Sequence, residues 1–186
     1  MSEEATYTMF HKGGKYTAAL YQADPNQPNA APDCWGVYVS TDAVDRAADR
    51  ASELGATVLS DPFDVFDAGR MAVVQDPTGA VFSLWQAGAH NGVGIKSEHG
   101  AVCWNELYTH DTEAAAGFYK ELFGWSGIDQ EMPPPTGVYT SFMLGEIPTG
   151  GMMAIQADWG DVPPHWSTYF SVDDCDACLG NGVYVG

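Results

Sequence analysis

Basic residues are scarce. Seven Lys and Arg face 25 Asp and Glu, for a formal net charge of −18. Such a field repels nucleic acid and anionic membranes, so neither is expected as a partner. Long apolar runs are also missing. None approaches the ~20 residues needed to cross a bilayer. Met1-Ser2-Glu3-Glu4 is acidic, not the basic and apolar start of a secretory leader, and a soluble cytoplasmic protein is expected. Cysteine is sparse, at four residues. Cys34 and Cys103 each precede a tryptophan in a strand-like run and read as buried core thiols. Cys175-Asp-Ala-Cys178 has no second pair with which to hold zinc.

Several chemical signatures are absent as well. The dinucleotide fingerprint G-x-G-x-x-G does not occur, and Gly13-Gly14-Lys15 lacks the rest of a P-loop. There is no nucleophile elbow. The five histidines form no H-x-x-x-H pair and read as solvated loop residues.

What is present repeats itself. Tyr7-Thr-Met-Phe10 returns as Tyr139-Thr-Ser-Phe142, each followed by Gly and a run of small apolar residues. "PDCWGVYVSTDAVDRA", from Pro32, returns as "PPHWSTYFSVDDCDAC", from Pro163. A shorter unit lies inside. Trp35 to Ser40 predicts a strand. Asp42 predicts a cap for a helix through Leu54, with Val44, Ala47, Ala48 and Ala51 on one face and Gly55 as the stop. Thr57 to Leu59 predicts a second strand. Met71 to Gln75, the turn Asp76-Pro77-Thr78-Gly79 and Ala80 to Gln86 predict a hairpin. The βαβββ pattern restarts at Val102. A strand runs to Tyr108, then Asp111 caps a helix over 112–123 with Ala115, Phe118, Tyr119 and Leu122 inward, and strands follow near 137–144 and 150–155. A third start comes at Trp166, where the helix pattern breaks at Leu179-Gly180.

The βαβββ unit, the helix end "AAGFYKELFGW" and the hairpin "DAGRMAVVQDPTGAVFSLWQ" resemble the vicinal oxygen chelate superfamily. It includes glyoxalase I, bleomycin-resistance proteins and extradiol dioxygenases. More narrowly, the chain resembles tandem-repeat glyoxalase-like proteins. The resemblance implies an α+β fold in which paired βαβββ modules form a cup-shaped mixed sheet with helices outside. It divides the chain into an N-terminal half (1–88), a linker (89–100) and a C-terminal half (101–186). The first and fourth modules are incomplete, and a homodimer would supply the missing strands.

Enzymes of that family hold a divalent metal, and the resemblance places the ligand positions. One lies in the first strand, seven residues before the helix-capping acid. The other lies four residues past the turn glycine of the last strand. Counting from Asp42, Asp111 and Asp173 gives Trp35, Trp104 and Trp166, and counting from Gly79 gives Ser83. An indole only donates and a neutral Ser is a poor ligand, so no standard metal site and no cofactor are expected. Alternation along the strands puts Glu106 and Tyr108 with Trp104, Val37 and Val39 with Trp35, Thr168 and Phe170 with Trp166, and Trp85 with Ser83. Glu106 is the candidate catalytic residue, as a ligand or base, or else it is a partly exposed sheet residue or is paired with Arg70. Trp35, Ser83, Trp85, Trp104, Tyr108 and Trp166 are the candidate ligand-binding set, or else they fill the cup as core. The expected function is binding of a small hydrophobic or aromatic molecule in a Trp-lined cup. The alternative is a metal-dependent lyase or isomerase of the glyoxalase type, or a dioxygenase-like enzyme.

Overall fold

The computed structural model describes residues 7–22 and 33–181. The acidic start Met1–Glu4, Pro32 and the last residues up to Gly186 lie outside them. In chain order the elements are β1 (Tyr7–Lys12), β2 (Lys15–Tyr21), β3 (Tyr38–Ser40), α1 (Val44–Glu53), β4 (Thr57–Val65), β5 (Gly69–Gln75), β6 (Val81–Ala87), β7 (Ala101–Thr109), α2 (Thr112–Phe123), β8 (Ser126–Met132), β9 (Gly137–Leu144), β10 (Ile147–Ala154), β11 (His165–Ser171) and α3 (Cys175–Asn181). Among the described residues no helix is long and apolar enough to cross a membrane.

The chain forms two compact units. One comprises Met1–Cys34, Gly92–Cys103 and Tyr169–Gly186. In it, β1 and β2 pair antiparallel around Gly13-Gly14, whose φ angles of 58° and 77° suit the tight hairpin turn that needs φ > 0 at both central residues. Gly94 N donates to Tyr16 O at 2.8 Å, and Gly100 N donates to Ser171 O at 2.7 Å. Helix α3 runs through Leu179 and Gly180 to Asn181, past the break expected there. Cys34 is exposed and Cys103 only half-buried, against the expectation of core thiols. Residues 34–37 are not in a strand, and the Cys103 thiol sits 3.4 Å from Tyr169 O at the start of β7.

The other unit comprises Trp35–Asn91 and Trp104–Thr168. One sheet has the order β3-β6-β5-β4, and another has the order β11-β7-β10-β9-β8. The β3-to-β6 and β7-to-β10 sets therefore follow the same strand order. In each set the first strand pairs parallel with the last, and the others pair antiparallel. The fold is α+β, with mixed sheets and the helices outside them. Strand β8 was not expected. Its sequence, SGIDQEM, is exposed throughout and has no apolar alternation, and antiparallel pairing with β9 makes it a strand.

One core serves both sheets. Val74, Phe82 and Leu84 from the first join Leu107, Phe118, Tyr119, Phe142 and Trp166 from the second. Helix α1 buries Val44, Ala48 and Ala51 there, and α2 buries Ala115, Phe118 and Tyr119. The hairpin turn is tied to this core by a carboxylate. Asp76 Oδ1 accepts from Thr78 N and Oγ1 (both 2.8 Å), Gly79 N (2.9 Å) and Ala80 N (3.1 Å). Its Oδ2 accepts from the Tyr119 hydroxyl at 2.8 Å, and that oxygen accepts from Trp166 Nε1 at 3.0 Å.

Helix caps are the reference points from which the candidate strand positions are counted. Asp111 caps α2 as expected, accepting from Ala114 N at 2.9 Å. Helix α1, however, is capped at Ala43, not Asp42, with no side-chain cap bond. Gln86 Oε1 takes Val44 N at 2.9 Å instead. At α3 the accepting side chain is Asp174, not Asp173, bonding Ala177 N at 2.9 Å.

Candidate functional site

A strand shifted by one residue turns every side chain to the opposite face. Only β7 was counted from the true cap, since Asp111 lies seven residues beyond Trp104 (111 minus 104). The same interval from Ala43 and Asp174 ends on Gly36 and Ser167. Trp166 accordingly lies on the helix side, 8% exposed, with its ring 5.5 Å from Tyr119 and its N–H on the Tyr119 hydroxyl. It is core, not a neighbour of Trp104. Thr168 points the same way, its hydroxyl donating to Asn105 Oδ1 at 3.0 Å. In the first set Val37 is buried in the core and Val39 packs against it, so the helix-free side of β3 presents Tyr38. Trp35 precedes the strand and is 49% exposed.

Strand β7 brings together three expected residues. Leu107 and Thr109 are fully buried on the helix side, which turns Trp104, Glu106 and Tyr108 to the other face. Glu106 is 8% exposed. Trp104 Nε1 donates to the Tyr139 hydroxyl at 2.7 Å, and that hydroxyl donates to Glu106 Oε2 at 2.6 Å. The direction of this chain is forced. An indole N–H can only donate, so the phenol oxygen accepts and the single phenol hydrogen goes to the carboxylate. Gly151 lies beside Glu106 in the parallel β7–β10 pair. A Cβ there would overlap the Tyr139 hydroxyl and press on Trp104 Nε1, so the close packing of the three groups requires glycine.

Tyr108 continues the face. Its ring stacks on His165 at 5.2 Å and meets Trp159 edge-on at 5.4 Å. His165 was read as a solvated loop residue, but it opens β11 within this aromatic strip. Tyr139 was missed altogether, because it lies on another strand and only the sheet register brings it to Glu106. The cation suggested for Glu106 is engaged elsewhere. Arg70 holds Asp45 at 2.8 Å and Asp64 at 2.9 Å. The hydrogen bond from Arg70 keeps the Asp45 carboxyl below its ordinary value.

Ser83 and Trp85 share the helix-free face of the other sheet. Ser83 is buried, while half-buried Trp85 donates to His90 O at 3.0 Å and stands edge-on to Tyr38 at 6.2 Å. The candidate residues therefore fall on two separate sheets. The acid and the most connected aromatics share the second.

The donor chemistry on that face does not suit a metal. It offers one carboxylate bonded to a phenol and, beyond Tyr108, the imidazole of His165, beside an indole that cannot ligate. Among the described residues no group of three His, Cys, Asp or Glu side chains could hold a metal ion.

The model of the Glyoxalase/Bleomycin resistance protein/Dioxygenase superfamily matches residues 1–84. The chain is 35% identical over 180 residues to CFP32 of Mycobacterium tuberculosis, a protein that carries a glyoxylase name. The match covers 97% of this chain and 68% of that one. It is 34% identical over 191 residues to the anthracycline biosynthesis protein DnrV of Streptomyces peucetius, again covering 97% and 68%. Among solved structures, a variant of homoprotocatechuate 2,3-dioxygenase from B. fuscum aligns with a TM-score of 0.49 and 13% identity. That alignment covers 80% of this chain and 46% of the dioxygenase, so the chain spans less than half the length of that enzyme.

Proposed function

This chain belongs to the glyoxalase/bleomycin resistance protein/dioxygenase superfamily, and on that premise we propose that it binds a small aromatic or hydrophobic molecule on the helix-free face of its second sheet. The observation that carries the reading is the set Trp104, Tyr139 and Glu106, with Tyr108 two residues further along the same strand face. Trp104 offers a ring for stacking, Tyr108, itself stacked on His165, extends the aromatic strip, and Glu106 offers one buried polar anchor. Few polar groups placed among aromatics is the usual make-up of a ligand site. The 34% identity to a protein named for anthracycline biosynthesis fits this reading, because anthracyclines are flat polycyclic aromatics. The proposed partners are a small molecule and a second copy of the chain.

The test is a titration of the purified protein with a panel of flat aromatic compounds. Trp104→Ala is expected to weaken binding by at least about tenfold, since base-sized rings stacked on an aromatic are typically worth ~1–3 kcal/mol. Unchanged affinity would show that Trp104 is packing alone. A second reading, a glyoxalase-type lyase, is favoured by the 35% identity to the protein with a glyoxylase name. It requires ligands other than those on this face. Turnover of a methylglyoxal–thiol adduct on adding Zn²⁺, Ni²⁺ or Mn²⁺ would establish it and displace the binding reading.

A further inference from the structure

We propose that Asn91-Gly92 is a self-modifying site, at which the chain converts the Asn91 carboxamide to aspartate and isoaspartate through a cyclic imide, with water as the only reactant taken up. The inference is independent of the binding face proposed above.

The reaction needs the Gly92 nitrogen to reach Asn91 Cγ. It is favoured by an uncrowded nitrogen and by a carboxamide that nothing else holds. Glycine at 92 puts no Cβ beside the attacking nitrogen. Space is open there, since a Cβ added at Gly92 would meet no atom within 4 Å beyond its chain neighbours. Asn91 is exposed and lies between β6 and β7, outside any helix or strand. Among the described residues, neither its side chain nor the Gly92 N–H has a hydrogen-bond partner. Asn side chains in loops commonly bond the neighbouring backbone, and such a bond would hold the carboxamide back. The freedom begins abruptly. Gly88 N and His90 N each donate to Ala68 O at 2.9 Å, and Ala89 N donates to Asp67 O at 2.9 Å.

Asn105 supplies an internal contrast. It lies within β7, its Oδ1 accepts from the Thr168 hydroxyl at 3.0 Å, and Glu106 follows it. Its carboxamide is engaged and its backbone is held in a strand. At Asn91 the step is free to run. Gly92 N bonds to Asn91 Cγ, the Cγ–Nδ2 bond breaks, and Nδ2 leaves as ammonia with the hydrogen that Gly92 N gives up. Water then opens the imide. Cleavage at Cγ gives aspartate. Cleavage at the Asn91 backbone carbonyl gives isoaspartate, whose main chain runs through Cβ and Cγ. Nothing is oxidised or reduced. Either product takes the formal net charge from −18 to −19 (−18 minus 1). Isoaspartate also adds a methylene to the backbone directly after His90, whose carbonyl accepts from Trp85 Nε1 at 3.0 Å.

Ageing in water enriched in heavy oxygen tests this. The whole protein is held folded, and in parallel unfolded in urea, then digested in ordinary water for mass spectrometry. Each newly formed acid carries the heavy label, and an isoaspartate-specific carboxyl methyltransferase reports isoaspartate. Peptides holding Asn91, Asn105 and Asn181 are read separately, because Asn181 is also followed by glycine. The folded protein is expected to gain label and isoaspartate at Asn91, at a rate within about threefold of that in urea, as for a segment that opens freely. Asn105 in the folded protein is expected to gain label at least about tenfold more slowly than Asn91, since its strand protects it. Asn91→Gln abolishes isoaspartate at that position and leaves Tm unchanged, because the side chain holds no partner. Label at Asn91 gained more than about tenfold more slowly folded than in urea would show that the fold protects the carboxamide, and would overturn the proposal. So would label confined to other Asn residues. Label at Asn91 without isoaspartate would mean direct hydrolysis with no imide, and would overturn it too.

Discussion

Replacing Tyr119 by Phe removes one oxygen atom from the centre of the larger unit and leaves the ring in place. That oxygen donates to Asp76 Oδ2 at 2.8 Å and accepts from Trp166 Nε1 at 3.0 Å, and its residue is fully buried. A hydrogen bond to a charged partner contributes ~1.5–3 kcal/mol, and a buried donor left unpaired costs ~1–3 kcal/mol. Tyr119→Phe is therefore expected to cost about 3 kcal/mol, a large share of the ~5–15 kcal/mol typical of a domain. At ~3 °C per kcal/mol this lowers Tm by about 10 °C. The pH dependence supplies a second signature. Burial, reinforced by the negative charge of Asp76, pushes the Tyr119 hydroxyl well above its ordinary value. The folded state thus keeps a proton that the unfolded chain releases near pH ~10. Stability from this group is complete below that pH and falls above it, by up to ~1.4 kcal/mol per pH unit. Thermal melts of wild type and Tyr119→Phe at neutral pH and above pH 10 measure both effects. A neutral-pH Tm within about 2 °C of wild type would refute the ledger built from these bonds. So would an alkaline slope unchanged by the substitution.

Two further substitutions probe the packing and capping arguments. Gly151→Ala is expected to cost ~1–3 kcal/mol as overpacking, by driving Tyr139 off Glu106. The extra cost should shrink in a Tyr139→Phe background, because the hydroxyl is the atom struck, and additive losses in a double-mutant cycle of melts would contradict this. Ala43→Ser gives α1 the side-chain cap it lacks, at a residue already in extended backbone with φ −153° and ψ 95°. A gain of ~0.5–1 kcal/mol is expected in urea unfolding, and no gain would mean that Gln86 already satisfies that end.

Much of the fold was legible because its signals are local. The turn Asp76 to Gly79, the α2 cap Asp111 and the inward residues Phe118 and Tyr119 all follow from short-range pattern and turn chemistry. The site was legible only where a local count started from the true cap. Adjacent acids hid the start of α3, since Asp173 and Asp174 both suit a cap and only the second is used. At α1 a nonpolar Ala43 occupies the cap because Gln86, from another strand, reaches Val44 N. The counts from Asp42 and Asp173 were each off by one residue: Trp166 faces the core, Trp35 precedes β3, and neither shares the strand face of Trp104. Tyr139 carried no sequence signal, for its role depends on strand register between distant segments. Strand β8 carried none either, because its form comes from its neighbour.

The bond between Asp76 and Tyr119 also bears on how the chain is made. Residues 35–91 leave the ribosome before 104–168, carrying a carboxylate oxygen and the apolar side chains of Phe82 and Leu84 whose partners come later in the chain. Their cover arrives with Phe118 and Tyr119, and then with Trp166. The nascent polypeptide is thus expected to stay protease-sensitive when stalled after Asn91 and to become resistant only once Thr168 has emerged. Pulse proteolysis of stalled chains would read that order directly, and early resistance would show that residues 35–91 fold before their partners exist.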